Sequence, residues 1–243
     1  MLRYGIDAPG LVWGFFWAAL GLLAVALLVG AFVSPLAQWG VIILAVYPFG
    51  MGCLMLYESL VWKPRASKTI LDLAAWTGSE RVLDVGCGRG LILVAAAHRL
   101  TSGTAVGVDL WRAQDQAANG PQATLHNADL DGVADRVRVE TADMRALPFA
   151  DACFDIVVSN LALHNLDMAD DRAQALSEML RVLRPGGGLL LADISLRHEY
   201  GARFRALGAR DVAIMVPNPI KDRLLGLVSF GSYQPSTVVA TRA

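Results

Sequence analysis

The sequence predicts an α/β protein: a doubly wound, mostly parallel seven-stranded sheet, preceded by two helices long enough to cross a membrane. Three observations predict it. Residues Ala8 to Tyr57 contain no Asp, Glu, Lys, Arg or His. From about residue 60, strand-like apolar runs alternate with helical periods, the pattern of parallel strands joined by crossover helices. Within that pattern, Val82-Leu83-Asp84-Val85-Gly86-Cys87-Gly88-Arg89-Gly90 closes an apolar run with an acid and three glycines at alternate positions. It reads as strand, tight turn and helix. Glycines there permit φ > 0 and let backbone approach a ligand with no Cβ in the way.

The apolar N-terminus comes first in the chain. Leu11 to Val33 is a run of 23 uncharged residues and Leu36 to Leu56 one of 21. A helix needs about 20 residues to cross the hydrocarbon core. Ser34-Pro35 between them is a short turn, so the simplest reading is a two-helix membrane hairpin over residues 1–60. Several of Trp13, Trp17, Trp39, Tyr47 and Tyr57 lie near run ends, where aromatic residues favour the interface. Arg3 precedes the first run, Lys63, Arg65 and Lys68 follow the second, and the turn carries no basic residue. By the positive-inside rule both ends face the cytoplasm, and the three basic residues would also attract anionic headgroups. Two other readings stay open. Ala24-Val25-Ala26 imitates a signal-peptide cleavage site, although the apolar run continues past it. A soluble hairpin would need a partner to cover two helices that are apolar all round.

Residues 61–243 form the second predicted domain. Strands are expected at Arg81–Val85, Thr104–Asp109, Arg136–Thr141, Phe154–Ser159, Gly188–Ile194, Ala209–Val216 and Thr237–Thr241. Helices are expected after the glycine turn to about Leu100, and over Gln122–Leu130, Ala173–Leu183 and Tyr200–Leu207. Leu176, Met179, Leu180 and Leu183 fall on one face of the third helix at i, i+3, i+4, i+7. Pro185 and Gly186–Gly188 are expected to stop it as turn makers. Ligands of such sheets bind at the carboxyl ends of the strands near the topological switch point.

Composition excludes several classes. The formal net charge is −1 over 243 residues, and no basic stretch is interleaved with aromatics, so nucleic acid is not an expected partner. The three cysteines, Cys53, Cys87 and Cys153, form no CxxC or Cys/His cluster. No metal site is expected, and they read as small apolar fillers. In a G-x-G-x-x-G dinucleotide site Gly86 and Gly88 would fit, but Leu91 stands at the third glycine's place. A phosphate-binding loop would end in Gly-Lys-Ser/Thr, which is absent.

The run Asp84-Val-Gly-Cys-Gly-Arg-Gly, with an acid two residues before its first glycine, resembles motif I of the class I S-adenosylmethionine-dependent methyltransferases. Four later segments resemble the same family in order and spacing. They are Val106-Gly107-Val108-Asp109, Thr141-Ala142-Asp143-Met144, Phe154 to Asn160, and Arg181-Val182-Leu183-Arg184-Pro185-Gly186-Gly187-Gly188. The resemblance covers about residues 65–243 and is nearest to the family's small-molecule and lipid or quinone branch. It implies a Rossmann-like methyltransferase fold and S-adenosyl-L-methionine as cofactor. The residues it places at the cofactor are Asp84, Gly86, Cys87, Gly88, Gly90, Asp109, Leu110, Asp143, Met144 and Asn160, with Asp109 on the ribose hydroxyls and the Asp143 segment at the adenine. Asp84 has the alternative of orienting the turn, Asp143 of capping the turn after it, and Asp155 is read as capping its strand.

His164, following the fourth strand, is the candidate general base for an acceptor whose nucleophile carries a proton of high pKa; its alternative is a hydrogen-bonded loop histidine. The Asp/Asn-Pro-Pro-aromatic motif of amino-group methylation on bases is absent, and Ser159-Asn160-Leu161-Ala162 stands there. Trp111–Pro121 reads as a lid or an ordinary surface loop. Pro217–Pro235 reads as a packed connection, an acceptor mouth or a lipid contact. Together these readings predict a membrane-anchored methyltransferase acting at the cytoplasmic surface on a small or lipid-soluble acceptor. The alternatives are a cofactor-binding sensor or scaffold without catalysis, and a tethered enzyme acting on a soluble or protein acceptor.

Overall fold

The computed structural model describes residues 3–112, 114–231 and 233–243. The chain divides into two compact units: Met1–Arg65 with Arg112–Asn119, and Ala66–Trp111 with Gly120–Ala243.

The first unit is built on helices α1 (Pro9–Phe32) and α2 (Pro35–Tyr57). Each begins with proline in its first turn, where the missing N–H costs nothing. Ser34 Oγ accepts the amides of Leu36 and Ala37 at 3.2 and 3.4 Å, so the short turn is also the cap of α2. The two helices meet where small faces large. A Cβ on Gly52 would lie 2.9 Å from Phe16 Cζ, and the Phe16 ring packs edge-on to Phe49 at 5.8 Å. Away from this seam the apolar side chains are exposed, Phe32 and Leu36 by 83% each. A turn of π-helix at Glu58–Trp62 leads into α3 (Lys63–Leu71), which carries the chain into the second unit.

The segment Arg112–Asn119 is joined to the residues before α1. Asp7 and Gln116 form an antiparallel bridge. Ala8 N donates to Asp115 O at 2.9 Å and Ala117 N to Ile6 O at 3.0 Å. Gln116 Nε2 donates to Tyr4 O and Asp7 Oδ1. Lys63 Nζ closes the cluster on both Asp7 oxygens at 2.8 and 2.9 Å.

The second unit is a seven-stranded sheet: β1 (Arg81–Val85), β2 (Thr104–Asp109), β3 (Val137–Thr141), β4 (Phe154–Asn160), β5 (Leu183–Asp193), β6 (Arg210–Met215) and β7 (Ser236–Thr241). The order is β3-β2-β1-β4-β5-β7-β6. The first five strands pair in parallel, and β7 runs antiparallel to both β5 and β6, so the sheet is mixed. Helices α4 (Leu91–Ala97), α5 (Pro121–Leu130), α6 (Ala169–Val182), α7 (Arg197–Ala206) and α8 (Pro219–Val228) connect the strands. Alternation along β1 feeds two cores, Val82 on one face and Leu83 with Val85 on the other. Strand order reverses at β1, which lies between β2 and β4, and so the crevice opens at the carboxyl ends of β1 and β4.

One expectation needs correction, and one connection gains an element. Gly186–Gly188 do not form the turn before the fifth strand: β5 already begins at Leu183 and passes through them. Its register against β4 shifts between Phe154 and Ile156. Gly186, at φ 78°, accommodates the bulge, and backbone bonds from Gly186 N to Arg242 O and from Arg242 N to Gly187 O keep the segment paired. The connection Pro217–Pro235 contains a helix, α8. Its signals were present: Pro219 stands in the first turn, and the Asn218 side chain accepts Lys221 N at 3.0 Å.

Candidate active site

The turn after β1 is held from two sides. Gly86 N and Cys87 N donate to Val108 O at 2.8 and 3.1 Å, which fixes the turn to the end of β2. From α5, Thr124 Oγ1 donates to Gly88 O at 2.6 Å and Asn127 Nδ2 to Arg89 O at 2.8 Å. All three alternate glycines are left-handed, with φ of 75° at Gly86, 49° at Gly88 and 82° at Gly90. At Gly86 a side chain is excluded twice, by that backbone and by Ala162 Cβ, which it would strike. Met144 Cε lies 3.7 Å from the same point. The glycine turn therefore gathers the segments that follow β3 and β4.

Asp109 ends β2 with each carboxylate oxygen on a backbone amide: Oδ2 accepts Gly88 N at 2.8 Å and Oδ1 accepts Trp111 N at 2.6 Å. Each oxygen keeps acceptor capacity, which suits a pair of neighbouring hydroxyls. Trp111 is pinned in turn by its indole N–H on Thr141 Oγ1 at 2.8 Å. A glycine-rich turn beside a two-oxygen acceptor fits the sugar and amino-acid ends of a nucleoside-type cofactor. Asp84 is buried beneath the turn. Cys87 turns its side chain inward, where a Cβ on Gly107 would lie 2.7 Å from its Sγ. Burial first, and then the charges of Asp84 and Asp109, push the Cys87 thiol well up, so it stays protonated and offers the site only its backbone. Leu110 is exposed just beyond Asp109.

Asp143 closes its own turn. It accepts Arg145 N at 2.9 Å and pairs with the Arg145 guanidinium at 2.6 Å, whose other arm reaches Asp171 at 3.0 Å. Asn160 is half-buried at the end of β4, next to Ser159, whose hydroxyl donates to Val85 O at 2.7 Å. Asp155 lies at the opposite strand end, accepting Arg81 N at 2.8 Å and pairing with Arg184. Among the described residues, no three His, Cys, Asp or Glu side chains are grouped to hold a metal.

His164 meets a partner that sequence reasoning missed. Its Nδ1 lies 2.5 Å from Asp193 Oδ1, and its backbone N donates to Asp193 Oδ2 at 3.1 Å. Asp193, at the end of β5 and 3% exposed, also accepts Ile194 N and the Tyr200 hydroxyl. Burial, followed by the Asp193 charge, raises the Tyr200 pKa far above its ordinary value, so Tyr200 remains a neutral donor. A carboxylate on Nδ1 orients the ring. The imidazole keeps a quarter of its surface exposed. An acid ending β5 was a readable signal for Asp193, of the same kind as Asp109 ending β2. Nothing in the sequence singled out Thr124 or Asn127.

Residues 83–191 match the family model described as a methyltransferase domain. This match, with the fold and the glycine turn, supports an S-adenosylmethionine-dependent methyltransferase domain over that segment. The chain is 39% identical over 127 residues to methyltransferase GfsG of Streptomyces halstedii, covering 52% of this chain and 41% of that protein. It is 34% identical over 140 residues to the ubiquinone/menaquinone biosynthesis C-methyltransferase UbiE of Geobacter sulfurreducens, covering 55% and 48%. The chain thus spans about half the length of these curated relatives. Among solved structures it shares the fold of a geranyl diphosphate C-methyltransferase from Streptomyces coelicolor, crystallised with S-adenosyl-L-homocysteine. The TM-score is 0.60 and the identity 18%, over 78% of this chain and 83% of that one.

Proposed function

We propose that the protein is a membrane-anchored methyltransferase, with residues 1–60 as its membrane segment and 61–243 as its catalytic domain. It moves a methyl group from S-adenosylmethionine to a small or lipid-soluble acceptor at the cytoplasmic surface. The observation that carries the reading is the Asp109 carboxylate bonded to the glycine-turn amide at Gly88, because it joins the two parts of a nucleoside site. When bound, the cofactor supplies an electrophilic methyl on a sulfonium whose leaving group is neutral.

The chain's own residues then have few tasks. Asp109 and the backbone of Gly86–Gly90 hold and orient the cofactor, with Met144 and Asn160 at the ends of neighbouring segments. His164, oriented by Asp193, takes the acceptor's proton at Nε2 as the nucleophile attacks, and the buried carboxylate stabilises the imidazolium that results. Holding acceptor and methyl close, in line and away from water supplies the rest of the rate. The relatives fit an acceptor of this type: one is named for quinone biosynthesis and a structural neighbour for geranyl diphosphate. The apolar hairpin helices, exposed outside their mutual seam, support the anchoring.

The test is incubation of the full-length protein with methyl-labelled cofactor and fractionated membranes. Label is expected in the extracted lipid fraction. Label confined to protein would overturn the acceptor assignment, and binding of cofactor with no transfer to any fraction would overturn the activity.

A further inference from the structure

Helix α8 is inside out. The face it turns inward carries Asp222, Gly226 and Ser229, all buried. Both Asp222 oxygens accept from the Arg197 guanidinium at 3.0 Å. Ser229 Oγ donates to Leu225 O at 2.6 Å, and a Cβ on Gly226 would lie 2.7 Å from Gln234 Nε2. The face turned outward carries Ile220, Leu224 and Leu227, continued by Phe230 just past the helix. Their exposures are 75, 58, 77 and 88%. The spacing i, i+4, i+7, i+10 places them in one stripe. A helix on a water-facing surface has the reverse arrangement, and a contiguous exposed apolar stripe marks an interaction surface. α8 lies outside the segment matched by the methyltransferase family model.

We propose that α8 is an interfacial membrane helix, seated in the plane of the bilayer surface with Ile220, Leu224, Leu227 and Phe230 in the boundary between headgroups and acyl chains. The proposal rests on the membrane reading of the hairpin. Two observations select lipid over a second copy of the chain. A chain tethered by α1 and α2 keeps the bilayer at high effective concentration, so a weakly apolar stripe suffices. The charge is also complementary to anionic lipid: Arg223 is exposed and Lys221 half-exposed, while the acid between them is buried against Arg197. Basic residues flanking an apolar stripe suit headgroups of phosphatidylglycerol type. An acceptor dissolved in lipid would then meet the connection between β6 and β7 without crossing water.

The experiment uses the full chain with Cys53→Ser and Cys153→Ser, reconstituted in phosphatidylcholine/phosphatidylglycerol vesicles. An environment-sensitive fluorophore is placed singly at Leu227→Cys, at Val25→Cys in α1, or at Arg205→Cys as an aqueous control. Vesicles carry a nitroxide quencher near the headgroup or near the chain end. The Leu227 label is expected to shift to the blue and to be quenched more by the shallow nitroxide, with the Val25 label quenched more by the deep one and the Arg205 label by neither. A quenched Val25 label beside an unquenched Leu227 label overturns the interfacial helix and leaves the anchor standing. An unquenched Val25 label overturns the anchor and this inference with it. Leu227 labels that quench one another as protein density rises, without nitroxide quenching, show a second copy on the stripe and also overturn it.

Discussion

Asp109 holds the amides of Gly88 and Trp111 at once, so its replacement is felt on both sides of the turn. A hydrogen bond to a charged group contributes about 1.5–3 kcal/mol, and about 1.4 kcal/mol is a tenfold change in affinity. Asp109→Ala is therefore expected to weaken S-adenosylhomocysteine binding by at least about tenfold in titration calorimetry; an unchanged Kd would remove Asp109 from the cofactor site. His164 separates binding from turnover. General-base catalysis contributes about 10²–10⁴ in rate, so His164→Ala should lower kcat on that order with S-adenosylhomocysteine affinity kept. Equal turnover in mutant and wild type would return His164 to a loop role. Asp193→Asn should act in the same direction, because it loosens the ring's orientation without touching the glycine turn.

Elements were legible in the sequence to the degree that their signals were local. β1 and β2 have the predicted ends because each is a buried apolar run with an acid at or next to its close. The sequence makes β5 too short: a Pro-Gly-Gly-Gly run says turn, and only pairing with β4 and with Arg242 makes it a bulged strand. α8 hid because its polar residues face inward and its apolar ones outward, which inverts the usual amphipathic reading. At α6 a local pair does tertiary duty. Glu178 receives the Arg181 guanidinium at 2.7 Å and the Leu147 amide at 2.8 Å, tying the helix to the segment before β4. The Arg181 hydrogen bond is the main reason the Glu178 carboxyl stays below the usual carboxylate range. A carboxyl with a depressed folded-state pKa contributes stability that is full above its unfolded value, and that is lost as pH falls through the folded one. Glu178→Gln is accordingly expected to lower stability by about 1–2 kcal/mol at neutral pH. The gap from wild type should close as pH falls below about 4, near the unfolded glutamate value. Thermal melts of the detergent-solubilised chain across pH would check this, and a gap that widened in acid would refute it.

At the scale of the whole molecule, one chain forms two units, and the first takes a short piece from the middle of the second's sequence. The Arg112–Asn119 segment pairs with Tyr4–Ala8, more than a hundred positions earlier, by backbone bonds and by the Asp7, Gln116 and Lys63 side chains. Such pairing leaves no local trace, which is why the sequence reads there as a lid or a surface loop. Arg112 is an exposed residue of trypsin's specificity. Cleavage there should be slow in the full chain and several-fold faster in Asp7→Ala or Gln116→Ala, followed by mass spectrometry; an unchanged rate would show that the pairing does not hold the segment. For protein engineering, the consequence is that the two units cannot be parted with a single cut. A truncation that begins near residue 61 would discard the partner of a segment that starts three residues after Asp109, and the trimmed protein would carry that segment unpaired.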